Sequence, residues 1–289
     1  MKTSTRILAC ALLFASCQRT IAQDQSQYRE IGRTTEKELN IVLSSSFGTV
    51  ILTKGDPGKV LTAEAGNSNM PAKIAVDYSI RNRVGYLELS LGDVKQNGEG
   101  KHSFSLKDFD QGKWFLKFTD AVPISFDIQL GVGRGDFDLS GLQVKDFNLS
   151  TGASDMSIAF DEPNKTVIDN ITIESGVSKF DGRNFGNARF KHLRFQGGVG
   201  AYTLDFGGEI TTEVDVDVEV GLGMMTMYIP RDVGVRIFYE ESWASRIDCD
   251  RDFEPTGENL YVSTNYSSAR GKMNIRVNSG LGSIKVRRR

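Results

Sequence analysis

The stretch VDVEVGLGMMTMYI (residues 216–229) decides the fold, because it joins two runs of alternating apolar residues through a short glycine-containing link. Its first eight residues follow the pattern apolar-x-apolar-x-x-Gly-x-small. Four earlier segments share that pattern: IQLGVGRG (128–135), FNLSTGAS (147–154), ITIESGVS (171–178) and LRFQGGVG (193–200). A later copy, MNIRVNSGLG (273–282), carries one extra residue. Repeats of roughly 22 residues are typical of solenoids, in which each copy stacks on the next.

Alternation within each copy predicts strands whose apolar side chains form columns along the stack, since successive side chains of a strand point to opposite faces. The expected first inner column is Ile128, Phe147, Ile171, Leu193 and Val216. The anchoring glycines are Gly133, Gly152, Gly176, Gly198 and Gly221. We expect them at sharp turns with positive φ, where a residue without Cβ carries little steric cost. The prediction is an all-β protein, a β-solenoid of stacked Gly-turn repeats.

The regions on either side of the repeats are β-rich but do not keep the same rhythm. Residues 23–122 are predicted to form an N-terminal cap or companion domain, and Pro123 marks the boundary of a β-solenoid domain spanning residues 123–289. Residues 237–266 are predicted to be an excursion before the last copy. The final three arginines, residues 287–289, are expected to be a frayed basic tail.

Residues 1–22 are predicted to be a signal peptide, because Lys2 and Arg6 precede an apolar run and Thr20-Ile21-Ala22 offers a small-residue cleavage site. A second processing route is open. Leu13-Phe14-Ala15-Ser16-Cys17 resembles a lipobox, in which Cys17 would carry a lipid anchor. Both routes predict an exported protein that is periplasmic or anchored on the outer side of the cytoplasmic membrane. No later stretch is long and apolar enough for a transmembrane helix.

Composition and charge exclude several kinds of partner and site. The chain has 35 Lys and Arg against 37 Asp and Glu, and no basic stripe is present, so no nucleic-acid partner is expected. Cys10 and Cys17 lie in the leader, which leaves Cys249 without a disulfide partner and favours a packed structural thiol. Because there are only two histidines and no metal-binding or phosphate-binding motif, no cofactor is predicted.

The region from Pro123 to Ile237 resembles the bacterial toast-rack family in the segments GASDMSIAFDEPN (152–164), GGVGAYTLDF (197–206) and VEVGLGMMTMYIPRDVGVRI (218–237). That family is related to the C-terminal domain of LiaF, the cell-wall-active antibiotic response protein, and to adhesin-like β-solenoid domains. Residues 36–122 are similar to its accompanying N-terminal domain. The resemblance implies a β-solenoid outside the cytoplasmic membrane, linked with envelope stress or surface attachment, and no established enzymatic activity. LiaF itself carries transmembrane helices, for which this chain has no matching stretch.

The most distinctive polar feature is the segment EVDVDVE (213–219), whose carboxylates share one face of a strand. The candidate Ca²⁺ ligands are Asp215, Asp217 and Glu219. Same-face neighbours on a strand lie about 7 Å apart, which is too far for several of them to bind one ion without help from another strand. An offset of one repeat sets these acids beside His192, Arg194 and Gln196, so pairing across strands explains them as well. The paired, solvated face is the favoured interpretation, and no metal site is predicted.

The sequence favours a non-enzymatic structural or binding scaffold whose partner is an envelope glycan or protein. Inner positions repeat from copy to copy while outer positions show no repeated cluster, so a specific site is expected in residues 23–122 or 237–266. The candidate aromatic contacts for a glycan are Tyr239, Trp243 and Tyr261. The alternative is a polysaccharide-binding or polysaccharide-cleaving solenoid enzyme, for which Asp217 beside Arg194 is the one candidate pair.

Export predicts that the protein recovered from its host does not begin at Met1. We expect mass spectrometry to find either Gln23 as the first residue or a lipid-modified Cys17. Cys17→Ser separates the two routes: it releases the protein from membranes if Cys17 carries lipid and leaves its distribution unchanged if cleavage precedes Gln23. An intact N-terminus at Met1 would contradict export.

Overall fold

The computed structural model describes residues 28–66, 72–93, 112–240 and 244–289. Within these ranges the chain consists of sixteen strands and one 3-10 turn at Phe185–Ala188, and no helix there has the length and apolar character needed to cross a bilayer. The predicted signal peptide, Cys17 and Trp243 lie outside the described residues. The strands are β1 (Tyr28–Gly32), β2 (Glu38–Lys54), β3 (Lys59–Ala65), β4 (Ala72–Arg81), β5 (Val84–Asp93), β6 (Lys113–Phe118), β7 (Ile124–Asp138), β8 (Val144–Ala159), β9 (Ile168–Arg183), β10 (Phe190–Asp205), β11 (Glu213–Ile229), β12 (Gly234–Glu240), β13 (Ser245–Cys249), β14 (Phe253–Gly257), β15 (Leu260–Ser263) and β16 (Lys272–Arg288).

Seven long parallel strands form the body of the molecule, in the order β2, β7, β8, β9, β10, β11 and β16. Each strand is one rung, with a first arm before a glycine-containing corner and a second arm after it. Return segments, such as residues 160–167 and 206–212, lead from one rung to the next and add Phe160 and Phe206 to the core. The predicted all-β solenoid is confirmed, although each repeat is one continuous strand rather than two strands joined by a turn.

The corner shifts the alternation of buried residues by one position. In β11 the buried residues are Val214 to Val220 at even numbers before the corner and Met225 to Ile229 at odd numbers after it. This shift keeps apolar side chains on the inner side of both arms, since a one-residue change of phase exchanges the two faces of a strand. Residues at the corner itself are consequently left outside the core.

A row of glycines follows the corners along the stack. These corner glycines are Gly131, Gly152, Gly176, Gly198, Gly221 and Gly280. A Cβ at any of them would stand 2.3–2.7 Å from a backbone carbonyl oxygen of the preceding rung, closer than side chains can approach. None of the six has positive φ, so the expected reason was wrong for Gly152, Gly176, Gly198 and Gly221, although Gly133 does have a positive φ of 144°. Close approach of neighbouring backbones requires them, while positive φ occurs two residues later, as at Gly223.

The first repeat is shifted by two residues from its sequence alignment. Ile128 lies beside Leu149, and Phe126 lies beside Phe147. The corner glycine of β7 is therefore Gly131 rather than Gly133. Alternation could not detect the error, because a shift of two residues keeps every side chain on its own face. From Phe147 onwards the predicted column is confirmed in register and buried.

Both ends of the stack are covered by excursions of the chain. At one end β5 and β6 pair with the two arms of β2, and β4, β3 and β1 continue the sheet antiparallel. At the other end β12 and β13 pair with the two arms of β16, and β15 and β14 follow. The last strand in sequence, β16, thus lies inside the stack beside β11.

The ladder of hydrogen bonds crosses the boundary expected at Pro123. The strand β2 belongs to residues 23–122, yet it pairs in parallel with β7 over both arms, with Gly48 beside Gly133. The repeated rung therefore begins at Glu38. The division into domains of residues 23–122 and 123–289 stays a prediction.

Gly176→Ala is expected to lower the free energy of unfolding by about 1–3 kcal/mol, because its Cβ would meet the carbonyl oxygen of Gly152 and force two rungs apart. Gly92→Ala is the matched control. Gly92 also lies in a strand, but a Cβ there meets nothing within 4 Å, so a change within about 1 kcal/mol is expected. Urea unfolding measures both, and equal losses would refute the close-approach explanation.

Candidate functional site

The outward side chains of the first arms form a polar face that extends across the stack. Its central column is in register from strand to strand. The members of that column, from β2 to β12, are Val42, Asp127, Asn148, Thr172, Arg194, Asp217, Arg276 and Phe238. Exposed apolar side chains stand at its two ends, whereas amide, hydroxyl and charged groups occupy the middle. This face offers hydrogen-bonding groups on a rigid sheet.

The acidic strand β11 lies in the register that the sequence predicted. His192, Arg194 and Gln196 are beside Asp215, Asp217 and Glu219, respectively. The strand β16 flanks the acids on the other side and supplies Asn274, Arg276 and Asn278. Each acid therefore has polar neighbours on both sides, which supports the paired interpretation of EVDVDVE.

The bonds made by these acids commit them to structural partners. Arg276 holds Asp217 with two hydrogen bonds, from Nε at 2.6 Å and from Nη2 at 3.1 Å, and this bonding raises the pKa of the arginine. Gln196 Nε2 donates to Glu219 at 2.8 Å. Within the described residues, no three of His, Cys, Asp and Glu are grouped so that they could hold a metal ion.

The candidate catalytic pair shows no arrangement for acid–base chemistry. Arg194 and Asp217 are neighbours in register and line a pocket of about 280 Å³ with Arg276. Asp217 forms its ion pair with Arg276 rather than with Arg194, and its side chain is 44% exposed. A glycosidase needs two carboxyl groups in distinct environments on opposite sides of the scissile bond. Three carboxylates line this pocket, those of Asp217, Glu219 and Glu240, and they accept hydrogen bonds from Arg276, Gln196 and Asn278, respectively.

The three aromatic candidates for glycan contact have different positions. Tyr239 is only 3% exposed and its hydroxyl is hydrogen-bonded to Ser245, so its selection as a surface contact was wrong. Alternation in β12 explains this, since Val235, Ile237 and Tyr239 all point inward. Tyr261 is half-buried and packs against the core, and Trp243 lies outside the described residues.

Phe238 is an exposed aromatic residue that the sequence analysis did not select. Phe238 precedes Tyr239 in β12 and is 42% exposed on the polar face. The period of two in GVRIFYE carried this information, because the residue next to an inward tyrosine must point outward.

A groove of about 1160 Å³ follows the corner glycines along the stack from β5 to β11. One side of the groove, which we term the polar wall, is formed by a row of side chains. Each belongs to the residue that lies two positions before the corner residue of its strand. The polar wall consists of Ser44, Gln129, Ser150, Glu174, Gln196 and Glu219. Thr151 and Ser175 also line the groove, and their hydroxyls are joined by a 3.0 Å hydrogen bond.

A row of apolar side chains directly follows the corner position in sequence, and we term it the apolar ridge. Its members are Phe47, Val132, Ala153, Val177, Val199, Leu222 and Leu281, all in register. Phe47 and Val132 are half-buried, and the others are exposed. Val177 is 62% exposed and Leu281 50%. The change of phase at the corner leaves them outside, because the second arm takes up the inner face again only two or three residues later.

The polar wall and the apolar ridge contradict the expectation that outer positions do not repeat. In every copy the residue two before the corner glycine is polar, and the residue after it is apolar. The two-residue misalignment of the first copy hid this by setting Gly131 in the polar column. A repeated candidate site therefore lies along the rungs of the stack, and one end of it, at Ser44, Ser45, Ser46, Ser90 and Leu91, falls within residues 23–122.

The three terminal arginines are not a frayed tail. Arg288 is buried, donates from Nε to Asp252 at 2.8 Å and from Nη2 to the carbonyl of Val233 at 2.8 Å. Arg287 pairs with Asp248. These contacts fasten β16 to the chain excursion that ends the stack, so the basic tail is part of the fold.

Asp205 is buried and Cys249 is half-buried near this end of the chain. Burial raises the pKa of Asp205, while the Gly207 N–H and Arg289 oppose that rise. Burial also raises the pKa of the Cys249 thiol to about 12. A thiol that stays protonated is a poor nucleophile, in agreement with the structural interpretation of Cys249.

Comparison with known proteins assigns the fold to a family. The stack of bent parallel strands closed at both ends is a β-solenoid. Residues 19–181, more than half of the chain, match the model of the N-terminal domain of toast_rack, DUF2154. The chain belongs to this family. No curated protein matches the chain.

Solved structures with a similar fold include three bacterial proteins. One, provisionally described as a cell adhesion protein of Clostridium sporogenes, has 19% identity and a TM-score of 0.45, covering 91% of this chain and 98% of its own. A protein provisionally described as an adhesin, from Bacteroides fragilis, has 14% identity and a TM-score of 0.40, covering 90% and 95%. Another with the same description, from Parabacteroides merdae, has 11% identity and a TM-score of 0.34, with the same coverage. The family assignment rests on the sequence match.

Arg288→Met is expected to lower the free energy of unfolding by about 2–4 kcal/mol, because it leaves Asp252 and the Val233 carbonyl without their donor in a buried site. Arg276→Met on the same strand is the control. Its ion pair with Asp217 is exposed, so a loss below about 1 kcal/mol is expected. Urea unfolding compares them, and a loss no larger for Arg288→Met than for Arg276→Met would mean that the tail does not fasten β16.

Proposed function

We propose that this protein is an exported, non-enzymatic binding scaffold of the cell envelope. The observation that carries the proposal is the repetition of outward polar side chains in register on a stack whose backbone spacing is set by the corner glycines. Such a stack can bind a partner over many weak contacts without any group that changes protonation state.

The sequence supports export and an envelope location. The leader has a basic start, an apolar middle and a small-residue cleavage site, and the competing lipobox at Cys17 would anchor the protein instead. Either route delivers the solenoid beyond the cytoplasmic membrane. The resemblance to LiaF and to adhesin-like domains suggests a role in envelope stress or surface attachment, with an envelope glycan or protein as partner.

The outer-face chemistry favours binding over catalysis. Asp217, the carboxylate nominated for an enzyme, is held by Arg276, and Glu219 accepts a hydrogen bond from Gln196. A general acid or nucleophile needs a carboxyl group in an environment that changes its acidity or leaves it free to react. These acids are instead solvated and paired, which suits a surface that binds through hydrogen-bonding groups in fixed positions.

The test incubates the purified mature chain, residues 23–289, with isolated envelope polysaccharide. We expect it to sediment with the polysaccharide and to release no reducing or unsaturated ends, and we expect Asp217→Asn to sediment equally, because that acid serves a surface ion pair. Product release that Asp217→Asn abolishes would establish the enzyme alternative. Failure to sediment with envelope material of any kind would contradict the scaffold function.

A further inference from the structure

We propose that the groove along the corner glycines binds an uncharged polysaccharide whose chain runs along the stack, at right angles to the strands. This inference deepens the proposed scaffold function and depends on it. The groove has a volume of about 1160 Å³ and extends over the rungs of the stack, with one end in residues 23–122.

The dimensions of the groove suit a polymer. It is lined by residues of β5, β2, β7, β8, β9, β10 and β11. With strands about 4.8 Å apart, seven strands span roughly 29 Å. In the part of the chain that the structure describes, the groove is open along its length, so a long chain can lie in it without being threaded.

The polar wall supplies one hydrogen-bonding side chain per rung. Gln129, Ser150 and Gln196 both donate and accept, as sugar hydroxyls do. Among the described residues, the groove lining contains two carboxylates, Glu174 and Glu219, and no cationic side chain. An anionic polysaccharide would meet net repulsion there, so the charge of the lining favours an uncharged chain.

The apolar ridge beside the glycine row supplies the second kind of contact. Val177, Val199 and Leu222 are 62%, 43% and 46% exposed, and they stand one residue beyond the corner glycines that line the groove. Sugar rings combine hydroxyl groups at their edges with C–H groups on their faces. A chain between the wall and the ridge can direct hydroxyls to one side and C–H groups to the other.

The repetition of the site distinguishes a polysaccharide from a peptide. The wall and the ridge recur in register at a constant rung spacing, so consecutive rungs offer the same pair of contacts. A polymer of chemically similar units can make the same contacts at each step, whereas a peptide with varied side chains cannot. The corner glycines also leave the backbone without a side chain at their own positions, which allows close approach of a chain there.

The experiment measures binding of neutral hexasaccharides of glucose, N-acetylglucosamine, mannose and galactose to the mature chain by calorimetry. A hexagalacturonate serves as the anionic probe, and an unstructured Ser/Asn/Ala peptide of similar length is the peptide probe. We expect at least one neutral hexasaccharide to bind, more tightly than its disaccharide because it contacts more rungs, and neither the anionic probe nor the peptide to compete.

Two variants of β10 form a matched pair. Gln196→Trp fills the groove from the polar wall, and Thr203→Trp adds the same bulk on the second arm of the same strand, where the side chain is likewise half-buried and outward. We expect Gln196→Trp to weaken binding about tenfold or more and Thr203→Trp to leave it unchanged. Val199→Ser, which removes an apolar contact without adding bulk, should weaken it severalfold. Urea midpoints verify that all three remain folded.

Three outcomes would overturn the assignment. No binding of any neutral hexasaccharide, or preferential binding of the anionic probe or the peptide, would show that the occupant is different. Equal losses in Gln196→Trp and Thr203→Trp would show that binding does not use the groove. If the chain still sediments with envelope polysaccharide while Gln196→Trp has no effect, the scaffold function stands and only the groove assignment fails.

Discussion

The close approach of neighbouring backbones at the corners is the constraint on which the rest of the structure depends. Hydrogen bonding keeps adjacent strands about 4.8 Å apart, and at each corner a carbonyl oxygen of one rung faces the Cα of the next. A Cβ there would lie 2.3–2.7 Å from that oxygen, so only glycine allows the rungs to stack through the bend. Because the glycines align, the two arms of every rung are held in a single register.

That fixed register creates both the core and the outer surface. Inside, it brings large rings into edge contact between rungs, as for Phe180 and Phe195, whose centroids are 5.2 Å apart. Outside, it sets like residues side by side, so the polar wall and the apolar ridge become continuous features. The corner changes the phase of alternation, and this change leaves apolar residues exposed beside a polar row. A functional surface thus arises from the geometry that closes the core.

At the two ends of the stack, excursions of the chain cover the edge strands without adding further rungs. The last strand, β16, enters between β11 and the pair β12 and β13, so the C-terminus is held from both sides. Arg288 reaches the buried carbonyl of Val233 and pairs with Asp252. A cation that looked like part of a loose tail is held by three separate chain segments, which contribute Asp252, the Val233 carbonyl and Asn265.

Local pattern in the sequence determined the class of fold, the identity of the core columns after Phe147 and the pairing of the acidic strand with His192, Arg194 and Gln196. These follow from the two-residue alternation within each strand and from the roughly 22-residue length of the repeat, both of which are visible in the sequence. Only the tertiary structure decided the first copy's register and the position of β16. A two-residue shift of register keeps every side chain on its own face of the sheet, so alternation cannot detect it. The order of the strands depends on which sheet edges the chain excursions cover. The groove was visible only once that register was correct, since its wall consists of residues that are neighbours in space through the stack and distant in sequence.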